Sequence, residues 1–301
     1  MCKSACTTLL RDTLPYKVRV RGAQWHLDVY GDGSMAEFVD EAVAARAHGA
    51  GVAPSRALTK ADLETRGRAY IASQLANVIA LRPNEALVAE SASTRAEGGV
   101  SSAGFRAPDL VTGQRVVFSR EIDGIPVVGL GSKVALTFLN DGSLESFRYD
   151  WPVYASTGSV QATAGVVEIV QRLQRVVTHE TRSAPPIVYP LTSLPATGPV
   201  DLTSDVQLQR LECGYYDAGL LNRDAAAPLQ AGCVYHALHF LSGDHPGKAG
   251  LAGAVPAAAQ PDADNRWREE SLLRGVVGSG TAAPSAATPD MNSRPSPARQ
   301  P

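Results

Sequence analysis

Apolar and polar positions alternate most regularly between Gln114 and Trp151, and the rest of the chain reads as packing against that stretch. Val116, Phe118 and Ile122 share one register, and Ile122 and Ile125 flank Asp123-Gly124, the pair that a type I′ hairpin turn prefers. Two strands fold back on each other there. Pro126 has no backbone donor, which places it at an edge, a bulge or a non-hydrogen-bonded position. Val134, Leu136 and Phe138 alternate after Gly129-Leu130-Gly131-Ser132. Asn140-Asp141-Gly142-Ser143 then makes a second tight connection before Phe147, Tyr149 and Trp151 line up on one face. The pattern predicts a meander of three or four antiparallel strands whose apolar face needs a cover.

The spacing supplies helices on both sides of the meander. Residues Thr59 to Arg82 open with Thr59 as N-cap and Asp62 three residues on, and stop before Pro83. Leu63, Tyr70, Ile71, Leu75, Val78 and Ile79 form its apolar face, and Gly67 weakens its centre by roughly 1 kcal/mol relative to Ala. A second amphipathic helix is expected over Ser159 to Thr178, from Val166, Val170, Leu173 and Val177.

Nearer the N-terminus, Lys17 to Arg21 and Trp25 to Tyr30 alternate as strands. A third helix is expected from a Ser34/Glu37 capping box to Gly49, with Met35, Phe38, Val39 and Ala42 as its stripe. Ala50 to Ala57 reads as a linker, and Leu87 to Thr94 as a strand before a Gly/Ser-rich loop. Ile187 to Tyr189, Val206 to Tyr216 and Gly232 to Leu241 are the last expected strands. From Ser242 onward Gly, Ala, Pro, Ser and Asp dominate, which predicts a disordered tail over 243–301, with one short helix near Asn265 to Arg274.

A helix, then Phe118-x-Arg120-x-Ile122-Asp123-Gly124-Ile125-Pro126-Val127, then a hairpin at Asn140-Asp141-Gly142, resembles the PepSY group and the related propeptides of thermolysin-like and fungalysin-like proteases. The resemblance covers about a third of the chain. It implies a cystatin-like layout of one helix laid across an antiparallel sheet. It also implies a role in inhibiting or assisting proteases or in extracytoplasmic interaction, and brings no catalytic residues with it.

The expected fold class is therefore α+β, built from cystatin-like units. Residues 1–50 form a small extension and 58–152 the PepSY-like unit, and 158–242 has the layout of a second, degenerate copy. A content of 44% hydrophobic residues suffices for a core, and a formal net charge of −2 gives no global reason to expect nucleic acid as a partner. The first twenty residues have too short an apolar run for a secretory signal, and no stretch is long enough to span a membrane. The resemblance nevertheless points outside the cytoplasm.

Four cysteines are present. Cys2 and Cys6 lack two further nearby ligands for a metal. Cys213 and Cys233 lie in two expected strands on either side of one loop, where they are either a disulfide, implying an oxidising compartment, or two buried thiols.

Catalytic patterns are weak. Gly129-Leu130-Gly131-Ser132-Lys133 lacks phosphate-loop spacing and runs into a strand rather than a helix. Cys233, His236 and His239 cannot share one face of a strand, and Glu121 and Asp123 sit at a hairpin corner as solvated carboxylates. No catalytic residue, cofactor or metal ligand is assigned. The candidate binding surface is Ile125, Pro126 and Val127 on a sheet edge that suits strand addition, with Phe147, Tyr149 and Trp151. Those aromatics either pack beneath the helix or, if the helix covers Val134, Leu136 and Phe138, form a partner surface. The expected function is non-catalytic protein binding, with a protease as a candidate partner; the alternatives are a small-ligand or envelope-associated binding protein and a hydrolase of unrecognised site.

Overall fold

The computed structural model describes residues 10–14, 16–49, 51–99, 108–156, 158, 161–183, 200–220, 223, 228–241, 247–259 and 273–277. It is a mixed α/β fold dominated by one large, mostly antiparallel sheet. The strands are β1 (Leu10–Leu14), β2 (Lys17–Arg21), β3 (Trp25–Tyr30), β4 (Met35–Asp40), β5 (Glu85–Glu97), β6 (Leu110–Ile122), β7 (Ile125–Gly129), β8 (Lys133–Phe138) and β9 (Leu144–Asp150). After a long helix come β10 (Val200–Asp201), β11 (Val206–Asp217), β12 (Gln230–Leu241), β13 (Gly247–Pro256) and β14 (Leu273–Val277). Helices are few: α1 (Glu41–Arg46), α2 (Lys60–Tyr70) and α3 (Val166–Ser183). The main path runs β1-β2-β3-β4-β9-β8-β6-β7-β11-β12-β13-β14, with β5 on the far edge of β6 and β10 on β11.

The Asp123-Gly124 hairpin forms as its residues dictate. Both have positive φ, 54° and 75°, and Ile122 faces Ile125 across the turn. In the meander, Val134 faces Tyr149 and Leu136 faces Phe147, so aliphatic and aromatic residues lie on the same side of the sheet. Phe118, Val116, Phe138 and Trp151 join them in one buried cluster with Leu63, Ile71, Leu75 and Ile79.

The cover is α2. Thr59 and Asp62 close a capping box, each side chain bonding the other's backbone N–H, and the helix then widens into a π turn over Ile71–Leu75. Gly67 has a packing reason. A Cβ there would come within 2.5 Å of the fully buried Phe118 ring, so the missing side chain lets the helix settle on the sheet. Gly67→Ala is accordingly expected to destabilise the fold by about 1–2 kcal/mol, because overpacking outweighs the gain in helix propensity. A rise in the melting midpoint would overturn this.

Three expected elements fall differently. The helix expected over 34–49 begins only at Glu41, where Asp40 caps it by accepting from the Val43 N–H at 2.9 Å. Met35 to Asp40 is instead β4, paired with β3 on one side and β9 on the other, with Phe38 stacked on Phe147 at 5.3 Å. Tertiary pairing overrides a stripe whose spacing fits a helix.

The second helix starts at Val166, not Ser159. Residues 162–164 run extended against the end of β13, with the Ala164 N–H donating to the Ala257 carbonyl at 2.8 Å. Third, Gly247–Pro256, inside the expected tail, is strand β13, paired with β12 and β14 and largely buried. Its small residues permit close layers: a Cβ on Gly253 would come within 2.7 Å of the Tyr235 hydroxyl. The expected strand at 187–189, the tail from 278 on, and Cys2 and Cys6 lie outside the described residues, as does most of the expected helix at 265–274, whose last two positions begin β14.

A second core gathers Ile169, Leu173, Val176 and Val177 of α3 against Leu208, Tyr235, Leu251 and Val255. Arg172, buried on the same helix, donates to the carbonyls of Pro256 and Ala258 at 2.9 and 2.7 Å and fixes the helix over the end of β13.

At the other end of the sheet, Asp28 is buried and accepts from Lys17 at 2.5 Å and from Arg19 at 2.6 and 2.7 Å. The Arg19 hydrogen bonds, with those of Lys17, bring its carboxyl down to about 2. Because the folded value is depressed, this stabilisation is complete above the unfolded value near ~4 and is lost as pH falls through about 2. Asp28→Asn is expected to cost about 1–2 kcal/mol at pH 7, solvent around the partly exposed Arg19 having been allowed for, and the difference from wild type should vanish in acid. Urea titrations across pH 2–7 test this; a cost that persists unchanged at low pH overturns the ion-pair account.

Candidate functional site

The two cores meet where β7 takes β11 along its outer edge. This pairing is parallel, with Tyr215 beside Val127, Tyr216 beside Val128 and Asp217 beside Gly129. Glycines make the approach feasible. A Cβ on Gly214 would collide with the Pro126 carbonyl, one on Gly129 with the Asp217 carbonyl, and one on Gly131 with the Asp217 carboxylate. The string Gly129-Leu130-Gly131-Ser132 thus cradles a carboxylate and a neighbouring strand, not a phosphate.

Asp217 is the centre of the junction and is 1% exposed. Five donors converge on its carboxylate. Gly219 N–H gives 3.0 Å, Arg223 Nε and Nη2 give 2.9 Å each, Ser132 Oγ gives 3.0 Å, and the Tyr154 hydroxyl donates a short bond. Arg223 Nη2 also donates to Asp150 at 2.7 Å, and the Leu220 N–H satisfies the other Asp150 oxygen at 2.9 Å. The Gly131 N–H donates to the Asp217 backbone carbonyl at 3.1 Å. One guanidinium therefore ties β9 to the end of β11, and Ser132 and Tyr154 close the ring around them.

The electrostatics follow from this wiring. Burial pushes the Asp217 carboxyl up, but Arg223 and Tyr154 more than offset it and hold it below the ordinary carboxylate range. Burial pushes Asp150 above that range, and Arg223 offsets only part. Burial and then the Asp217 charge push the Tyr154 hydroxyl far up, so it stays a proton donor. Burial lowers the proton affinity of Arg223, but its two carboxylates more than restore it.

A carboxylate held ionised by a guanidinium is a poor base, and both hydroxyls already donate to it. Ser132 is fully buried and carries φ of 56°, a left-handed conformation that costs of order 1 kcal/mol for a non-glycine residue and that these bonds hold in place. The chemistry of the cluster is that of a clasp.

Arg120, from the hairpin motif, lies beside the clasp. Its side chain is 2% exposed, stacks on Trp151 with Cζ 4.0 Å from the ring centroid, and donates from Nη1 to the Pro152 carbonyl at 2.8 Å. Burial lowers its proton affinity, and Glu85, with Oε2 at 3.9 Å from Nε, partly restores it.

The predicted surface divides. Ile125 is 43% exposed and Pro126 half-buried, while Val127, Phe147, Tyr149 and Trp151 are buried, the last three in the cluster beneath α2. The edge expected to receive a partner strand holds β11 of the chain itself. Cys213 and Cys233 face each other across β11 and β12 and form a disulfide, with Cys233 fully buried and Cys213 exposed. His239 bonds Asp205 at 3.1 Å and His236 lies on the opposite face, so the three residues weighed as ligands do not meet. Among the described residues no group of three His, Cys, Asp or Glu side chains is placed to hold a metal, and no helix is long and apolar enough to cross a membrane.

Sequence reasoning missed the clasp. Its members come from three separate stretches of the chain, at Ser132, at Asp150 and Tyr154, and at Asp217 and Arg223. The one local sign was Asp217-Ala218-Gly219, a turn in which the aspartate side chain takes the N–H two residues on.

A separate cleft of about 370 Å³ opens between the start of α2 and strands β5 and β6, lined by Leu58, Lys60, Leu63, Ala92, Ser93, Thr94 and Gln114. No protein-family model matches the chain, and no curated protein matches it.

Proposed function

We propose that this chain is a non-catalytic protein-binding module. In this reading residues 58–152 are a PepSY-like unit and the stretch from 158 through β13, past the expected boundary at 242, is a degenerate second one, each a cystatin-like helix laid on a sheet. The observation that carries the reading is the exposed Ile125 at the tip of the motif hairpin, on a strand whose edge accepts extended main chain, that of the chain's own β11, beyond it. Strand addition of this kind obtains affinity from backbone hydrogen bonds and specificity from alternate side chains. In an inhibitory or propeptide-like role, the exposed Ile125 and half-buried Pro126 at the tip of that hairpin meet the protease, while Val127, covered by β11, and the buried Phe147, Tyr149 and Trp151 support them from within. The disulfide fits an extracytoplasmic setting.

The test titrates the purified chain against a thermolysin-like metalloprotease, beside a pull-down from the source organism's secreted and envelope fractions. Stoichiometric loss of protease activity, weakened by Ile125→Asp, is the expected result. Undiminished activity together with an empty pull-down sinks the reading. The cleft beside α2 favours a second reading, a small ligand, since its volume lies within the usual range for such sites. A thermal-shift screen of metabolites decides between them.

A further inference from the structure

The sheet face opposite α2 carries charge in register. Arg19 pairs across to Asp28, Asp28 to Glu37, Glu37 to Arg148 and Arg148 to Ala135, so one row of the outer face spans β2, β3, β4, β9 and β8. Two positions along β8, Thr137 lies between Arg115 on one side and Ser146 on the other. Arg115 and Arg148 therefore sit on one face, diagonally across β8, with their Cα atoms roughly 12 Å apart by sheet geometry. Ala135, between them and facing outward, is buried, as expected beneath two long side-chain stems.

Both arginines are exposed, and neither makes a hydrogen bond or ion pair with any described residue. Other cations of this face are matched: Lys17 and Arg19 on Asp28, Lys133 on Glu90. Crowding and then the Arg148 charge lower the proton affinity of Arg115, with Glu37 acting the other way. Two like charges thus share this face with Glu37 as the one opposite charge beside them, which leaves an excess positive charge that an incoming anion balances.

We infer that Arg115 and Arg148 form a two-pronged carboxylate site for an acidic peptide segment of a partner protein, lying across β8. The inference rests on the protein-binding reading above and specifies the partner's chemistry. Each guanidinium offers the planar fork that a carboxylate matches, and the hydroxyls of Thr137 and Ser146 stand between them for peptide groups.

The experiment uses the full chain and a fluorescein-labelled decapeptide alternating Glu and Ser, with its Gln counterpart as control, read by anisotropy. The Glu peptide is expected to bind saturably, to weaken with salt, and to lose at least about tenfold in affinity in Arg115→Gln and in Arg148→Gln, but not in Arg56→Gln. Both variants should leave the melting midpoint unchanged, since losing the repulsion between the pair offsets losing the attraction of Glu37. Equal affinity in wild type and variants overturns the site, as does equal binding of the Gln peptide. Displacement of a bound anion by inorganic phosphate, with no binding of the Glu peptide, also overturns it by assigning the pair to small anions. A midpoint that falls by several degrees assigns the pair a packing role. If the peptide fails while protease titration succeeds, this site alone is lost; the converse result removes only the protease partner.

Discussion

Asp217→Asn lowers the unfolding free energy at pH 7 by about 3 kcal/mol, the low end for removing one partner of a buried ion pair, because Asp150 still faces Arg223. Three further donors lose their charged acceptor in that variant. Asp150→Asn costs less, about 1 kcal/mol, since burial already disfavours its ionised form. The pH dependence separates the two carboxylates. Asp217 is depressed in the folded state, so its stabilisation is complete above the unfolded value near ~4 and is lost as pH falls through the folded value. Asp150 is raised, so it acts in the opposite sense: stability withheld at neutral pH returns as pH falls through its folded value towards ~4. Urea denaturation of wild type and both variants between pH 3 and 7 measures this. A loss below 1 kcal/mol for Asp217→Asn would falsify the clasp as the principal tie between the two cores.

Reducing the Cys213–Cys233 bond is expected to cost about 3 kcal/mol, the entropy released to the unfolded chain by opening a loop with a sequence separation of 20. Cys213→Ser with Cys233→Ser should reproduce the loss and make reductant irrelevant. The bond lies on the same strand as Asp217, so its loss also frees the end of β11 that the clasp holds. The effects of reduction and of Asp217→Asn are then non-additive, which a double cycle detects. Coincident denaturation curves with and without reductant would show that the bridge contributes nothing.

What could be read from the residues alone was local. Asp123-Gly124 announces its hairpin because few residues accept positive φ in succession, and Thr59 with Asp62 announces α2 because the caps lie three positions apart. Met35 to Asp40 carries helical spacing in its apolar positions, and only pairing with β9, more than a hundred residues away, makes it a strand. β13 was missed because Gly and Ala in a doubly covered strand resemble a linker in composition. Gly67 was read as a weakness in the helix, whereas its meaning lies in Phe118 across the layer. The clasp was illegible for the same reason at larger scale: Ser132, Asp150, Tyr154, Asp217 and Arg223 share no spacing, and burial alone makes them partners. The outer face of β8 and β9 was in principle readable, since alternation places Arg148 opposite Phe147 and Tyr149, but which arginines become neighbours depends on register across strands.

The parallel join has a cost in time. Tyr215 is synthesised long after Val127, and at roughly 5–20 residues per second the edge of β7 waits about 4–18 s before its own strand exists. During that interval the hairpin presents unpaired backbone beside a Gly-rich loop, and any β11 will fit, including one from a neighbouring polypeptide. On a crowded ribosome array, or in concentrated refolding, exchanged dimers linked through β7 and β11 are the natural by-product of this topology.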